Sequence, residues 1–269
     1  MTPLISPLFF LTGTAMILIA VGAAWWWQGG KPSLWPMVWW GVLAWIASLA
    51  LKAVAGLPMM NFFQRHADNP MIWLCGGLVT GVFECVIPLL IIMKTRLRRA
   101  DFNGAVAFGI GFGGIEVFLM GSVALIQTML LVAFPNHIPA GVRDALLKQF
   151  AHSSLATILL SLIERASALA AHCLASVLLI YAVRTRRQLW FWLSFGYKTL
   201  IDMIAAWAIL AWKMPGSTTK TAQFEVVIAT FALIALVALP RLKTGFIRLS
   251  DASRLPLQAP ALSRCFGED

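Results

Sequence analysis

Seven apolar runs of about 20 residues, separated by short polar stretches, recur along this chain, and no other feature restricts its fold as strongly. An α-helix rises about 1.5 Å per residue, so about 20 residues cross a hydrocarbon core of roughly 30 Å. Within lipid every backbone polar group has to be satisfied internally, which makes the helix the expected element. The runs fall near residues 7–27, 36–55, 71–93, 104–134, 154–183, 189–212 and 224–240. They predict an all-α, polytopic transmembrane helical bundle of about seven spans. The fourth and fifth exceed what a simple crossing needs, so a tilt, a kink or an interfacial extension is expected in each. Residues 135–149 are a candidate eighth segment or re-entrant turn.

Composition agrees with burial in lipid. The chain is 60% hydrophobic and 12% charged, whereas soluble domains average roughly 45 to 50% apolar and about 25% charged. The first run lacks a basic flank and is longer than a signal-peptide core of roughly 7 to 15 residues, so it reads as the first span. The net charge of +10 is spread in clusters at span ends with no aromatic-rich soluble module beside them, which excludes a nucleic-acid partner and points to membrane orientation. Lys31, the Lys94 to Arg99 cluster, Arg184, Arg186, Arg187 and the basic residues from Arg241 to Arg264 fall on one side, thirteen in all. Lys52, Arg65, Arg143, Lys148, Lys213 and Lys220, six in all, fall on the other. The asymmetry places the N-terminus outside and the C-terminus in the cytoplasm. We expect one transmembrane domain over 1–240 and a basic cytoplasmic tail over 241–269, in a multi-pass protein of a bacterial cytoplasmic (inner) membrane. Tryptophans such as Trp25, Trp26, Trp39, Trp40, Trp190 and Trp192 gather at span ends as interfacial anchors. Cys75, Cys85, Cys173 and Cys265 have no paired spacing, so neither a disulfide framework nor a zinc knuckle is expected.

Ionisable residues inside spans are the candidate functional residues. Each costs at least about 2.5 to 3.5 kcal/mol to insert, so such groups usually face the bundle interior and mark function. By helical rise, Glu84, Glu116, His172, Lys198 and Asp202 lie roughly 14 to 20 Å deep in four different spans. Arg165 and His172, seven apart, share a helix face, as do Lys198 and Asp202 at i, i+4. Glu164 and Arg165 sit nearer the outer face and read as an interfacial pair. The glycines of FGIGFGGIE, from Phe108 to Glu116, lack a preceding strand and serve close helix approach rather than dinucleotide binding.

Four segments resemble a known family. GVFEC at 81–85, GIGFGGIE at 109–116, the pair Glu164 and Arg165 followed by His172, and KTLID at 198–202 are similar to the motifs of YhfC-type intramembrane metalloproteases, distant relatives of the CAAX-protease group. The resemblance covers 80–207. It implies a helical bundle around a zinc ion and a glutamate-activated water. On that pattern Glu84, Glu116, Glu164 and Arg165 are the candidate catalytic residues, and His172 and Asp202 the candidate metal ligands. The chain departs from the pattern at Cys85 and Pro88, where a second Glu and an Arg are expected. Phe112 and Lys198 each stand where a His is expected, and Lys198 reads as a charge-compensating cation. The implied partners are the lipid bilayer and a hydrophobic peptide or transmembrane segment. Two other readings stay open from sequence: a non-catalytic scaffold or peptide- or lipid-binding pseudoprotease, and an ion- or proton-coupled transporter.

Overall fold

The computed structural model describes residues 8–57, 60–151, 154–214 and 217–252. The elements are α1 (Leu8–Gln28), α2 (Trp35–Gly56), α3 (Met60–Arg65), α4 (Pro70–Gly81), α5 (Ile87–Lys94), α6 (Phe102–Ala133), α7 (Ala140–Ala151), α8 (Leu155–Thr185), α9 (Gln188–Leu210) and α10 (Thr218–Ala252). Among the described residues seven helical segments are long and apolar enough to cross a membrane, matching the number of apolar runs. The third of them, Pro70–Lys94, joins α4 to α5 through a π-helical turn at Val82–Val86. The bundle is all-helical and multi-pass, as expected.

Polar caps begin several helices where the chain enters the apolar layer. The Asp101 side chain accepts from Gly104 N at 2.8 Å, and Asn69 accepts from Met71 N at 2.9 Å. Ser154 and Thr157 form a reciprocal capping box. Each supplies an acceptor to backbone N–H groups that the first helical turn leaves without partners. Arg186, in the left-handed conformation at φ 55°, ends α8 and turns the chain into α9. The π turn has a local cause as well: Pro88 has no N–H to give to residue 84 and its ring crowds that carbonyl, so the ladder widens just before it.

The fifth span is the centre of the bundle. In its apolar window 72% of residues are buried, against 22 to 33% in the other six. α6, α9 and α10 pack around α8, and α1 and α2 pack on α6. Glycines permit the tightest of these contacts. A Cβ on Gly109 would lie 2.7 Å from Cys173 Cα, one on Gly113 would lie 2.7 Å from His172 Cβ, and one on Gly111 would collide with the Val38 backbone. The glycine run of α6 therefore brings α2 and α8 onto opposite faces of one helix.

The structure adds detail to three expectations. Residues 135–151 form a short 3₁₀ turn and the 12-residue α7, too short to span. The last helix continues through Pro240 to Ala252, so the first part of the stretch expected as a tail is helical, while 253–269 lie outside the described residues. The long fourth and fifth runs are unbroken helices of 32 and 31 residues. Outward-facing positions such as Leu18, Val123, Ile126, Leu233 and Leu236 are exposed and apolar, the surface a bilayer requires.

Candidate functional site

A cavity of about 340 Å³ lies inside the bundle, lined from six of the seven spans. Its polar wall contains all seven residues singled out from sequence: Glu84, Glu116, Glu164, Arg165, His172, Lys198 and Asp202. They form two ionic groups.

The first group is centred on Glu116 of α6. His172 Nε2 is 3.0 Å from Glu116 Oε2. Arg165 donates to Glu116 Oε1 at 3.3 Å, and Trp45 Nε1 donates to Oε2 at 3.2 Å. The seven-residue spacing of Arg165 and His172 lets both reach one carboxylate, as a shared helix face predicts. Arg165 also pairs with its neighbour Glu164. Arg165 thus keeps the expected partner in Glu164 and also bridges to α6 across the cavity.

The second group is centred on Glu84, carried by the π turn. Lys198 Nζ of α9 is 2.9 Å from Glu84 Oε2 and 3.8 Å from Asp202 Oδ2. Lys52 Nζ of α2 reaches Glu84 Oε1 at 3.2 Å. Lys52, expected in an outer connection, lies in the last turns of α2 with its long side chain reaching inward. One carboxylate therefore holds two ammonium groups from two other helices.

Sequence reasoning also passed over Glu225 of α10. It is 4% exposed, and its Oε2 has no hydrogen-bond partner. The run beginning at 224 put this residue at a span end, whereas the helix starts at Thr218 and places it two turns inside. Its acidity within an apolar helix was the available signal.

The remaining motif positions point away from metal chemistry. The Phe112 ring lies 5.4 Å from the His172 ring, centroid to centroid, so an apolar group stands beside the one histidine that lines the cavity among the described residues. Cys85 is fully buried and faces Ser194 Oγ at 3.7 Å. Pro88 is buried and contributes the π turn instead of a charge.

The sequence model of the family described as "YhfC intramembrane metalloprotease" matches residues 15–228, well over half of the chain. The chain belongs to the YhfC family. The match extends beyond the 80–207 stretch that carries the motifs. A relative from Bacillus subtilis (strain 168), "Uncharacterized membrane protein YhfC", is 26% identical over 199 residues, covering 70% of this chain and 75% of the relative. Seven apolar helices and this bacterial relative support a multi-pass integral protein of the bacterial cytoplasmic membrane. No solved structure matches.

The YhfC family description implies a metal, so the cavity's donors have to be weighed against one. A catalytic zinc takes about three protein ligands of N, O or S type, with His and carboxylate oxygens the usual set. Among the described residues no three His, Cys, Asp or Glu side chains are grouped to hold an ion. Glu84 is engaged by Lys52 and Lys198, and Glu116 by Arg165 and His172. An ammonium stands where the second histidine of the pattern would be, and a phenyl ring where the first would be. This donor set does not fit zinc.

Proposed function

We propose that this YhfC-family protein uses its intramembrane cavity to bind a hydrophobic peptide or transmembrane segment without cutting it, and that internal cations neutralise there the carboxylates that a metal would otherwise neutralise. The observation that carries the reading is Lys198, whose Nζ lies 2.9 Å from Glu84. A buried carboxylate needs an opposite charge nearby, and an ammonium from α9 with a second from α2 meets that need without a divalent ion. The apolar part of the lining favours an apolar occupant. Leu49, Leu119, Ile201, Ile228 and Phe231 surround the charged wall, an arrangement in which a few fixed polar groups orient a mostly apolar ligand.

The test uses full-length protein in liposomes with a transmembrane peptide bearing a fluorophore at each end. We expect saturable binding by energy transfer, no separation of the two labels, and loss of binding when Ala168→Trp fills the cavity. Metal analysis of protein purified from zinc-replete cells is expected to give far less than one ion per chain. Cleavage of the peptide that disappears with Glu116→Gln, or stoichiometric zinc that disappears with His172→Ala, would overturn the reading in favour of an active metalloprotease.

A further inference from the structure

A second concavity lies on the outer surface of the bundle, sharing only Phe231 with the cavity. α9 and α10 both pack on α8 but barely touch each other. The gap between them is an apolar groove of about 620 Å³. Leu174 and Leu178 of α8 form its floor, and Leu193 and Leu200 of α9 face Ile234 and Ala238 of α10 across it. Gly196 opens the α9 wall: a Cβ there would meet nothing within 4 Å.

The two ends of the groove differ. At the midplane end Tyr197 donates its hydroxyl proton to the Phe231 carbonyl at 2.8 Å, and their rings meet edge to face at 5.6 Å. That bridge links α9 to α10 at this end of the groove. At the other end stand the exposed Arg241 and the Tyr181–Trp190 ring pair, 5.0 Å apart. Arg241 is the groove's charged lining residue among those described, and no acidic side chain accompanies it there. Arg184 lies close by, with its guanidinium 5.9 Å from the Phe246 ring that packs on Tyr181.

The length selects the occupant. From Phe231 to Arg241 is ten residues of α10, or about 15 Å along the helix. That is half of a hydrocarbon core of roughly 30 Å, the depth of one leaflet. A lipid tail fits this depth, with a headgroup at the arginine, whereas a transmembrane helix would need the groove to continue across the midplane. Arginine forms two parallel hydrogen bonds with a phosphate, and aromatic rings suit the headgroup level.

We infer that the α9–α10 groove is a binding site for an acidic glycerophospholipid, with one acyl chain between Gly196 and Ala238 and its phosphate on Arg241. By the charge asymmetry it belongs to the cytoplasmic leaflet. Native mass spectrometry of the full-length protein in detergent, titrated with phosphatidylglycerol or with phosphatidylcholine of the same chains, tests this. We expect one tightly retained phosphatidylglycerol, weaker retention of phosphatidylcholine, and about a fivefold loss of phosphatidylglycerol affinity with Arg241→Gln, the effect of about 1 kcal/mol per basic residue. Gly196→Trp, or Ala238→Trp from the opposite wall, should abolish the retained lipid without changing the melting temperature, while Gly22→Trp on an open lipid-facing position leaves it bound. Retention that is equal for the two lipids, or unchanged by both groove-filling variants, would overturn the proposal. Either result leaves the cavity reading untouched, because the two sites share only Phe231.

Discussion

Lys198 Nζ and Glu84 Oε2 are 2.9 Å apart, an ion pair between α9 and the π turn of the third span, deep in the apolar layer. Glu84 is also held by Lys52, and Lys198 also by Asp202, so four charges from three spans depend on one contact. Removing one member of a buried pair leaves the other uncompensated and costs about 3 to 5 kcal/mol.

Lys198→Met is therefore expected to lower the melting temperature in detergent markedly. Adding Glu84→Gln should recover part of the loss, because the neutral amide no longer needs a cation. Asp202→Asn added to Lys198→Met should recover less, since its contact is longer at 3.8 Å. Thermal unfolding of the single and double variants measures the coupling directly. Losses that simply add would mean that the pair carries no interaction energy.

The glycines of α6 give a second set of outcomes. A methyl at Gly109 would sit 2.7 Å from Cys173 Cα, a backbone atom that can yield only if α6 and α8 separate. Gly109→Ala should cost about 1 to 3 kcal/mol, the usual effect of overpacking. Gly196→Ala, where a Cβ meets nothing within 4 Å, should stay within about 0.5 kcal/mol of the parent. Equal melting temperatures for the two variants would show that the close approach is not stability-limiting.

Much of this architecture could be read from the sequence, and the limits of that reading are physical. Bilayer thickness sets the length of an apolar run, so seven spans were countable. Helical rise converts sequence position into depth, so Glu84, Glu116, His172, Lys198 and Asp202 could be placed in one layer before their contacts were known. Lys52 was missed because a lysine one turn from a helix end reads the same whether its side chain snorkels outward or reaches a buried carboxylate. The reach of Arg165 to Glu116 was not legible because depth along a helix does not say which way a long side chain runs. The cavity role of Glu84 depends on a π turn, and hydropathy windows do not register an extra residue in a turn. Trp45 lies inside its apolar run, where an indole reads as packing, and only the packing of α2 against α6 brings its N–H to Glu116.

Orientation follows from charge alone and can be tested alone. Cysteine substitutions at Arg98 and Arg186 are expected to be labelled only after the membrane is permeabilised, and Thr219→Cys from outside intact cells. The structure puts both arginines at one end of the bundle, where Arg184 donates to the carbonyls of Arg99 and Ala100. Moving Lys52 from the outer set into the cavity strengthens the asymmetry that predicts this orientation. Labelling of Arg98→Cys in intact cells would reverse it.

The last prediction asks whether two positions are vacant ligand sites in all but side chain. Phe112 stands with its ring centroid 5.4 Å from that of His172, and Lys198 lies 2.9 Å from Glu84, so each flanks a potential donor. In Phe112→His combined with Lys198→His the phenyl and the ammonium are both replaced by imidazole. The cavity would then offer three histidines, with Glu84 released from one of its two cations and Glu116 already beside His172. Three nitrogen donors and a carboxylate match the usual zinc set. We expect this double variant to bind close to one zinc per chain and to melt higher with zinc than with a chelator, while the parent and each single variant show neither effect. Arg165 and Lys52 remain in the double variant and oppose a dication, so affinity should rise further when Lys52→Gln is added. A double variant that folds, as judged by a cooperative melt, yet takes up no zinc would show that Phe112 and Lys198 do not occupy ligand positions. The correspondence between this cavity and a metalloprotease centre would then rest on sequence pattern alone.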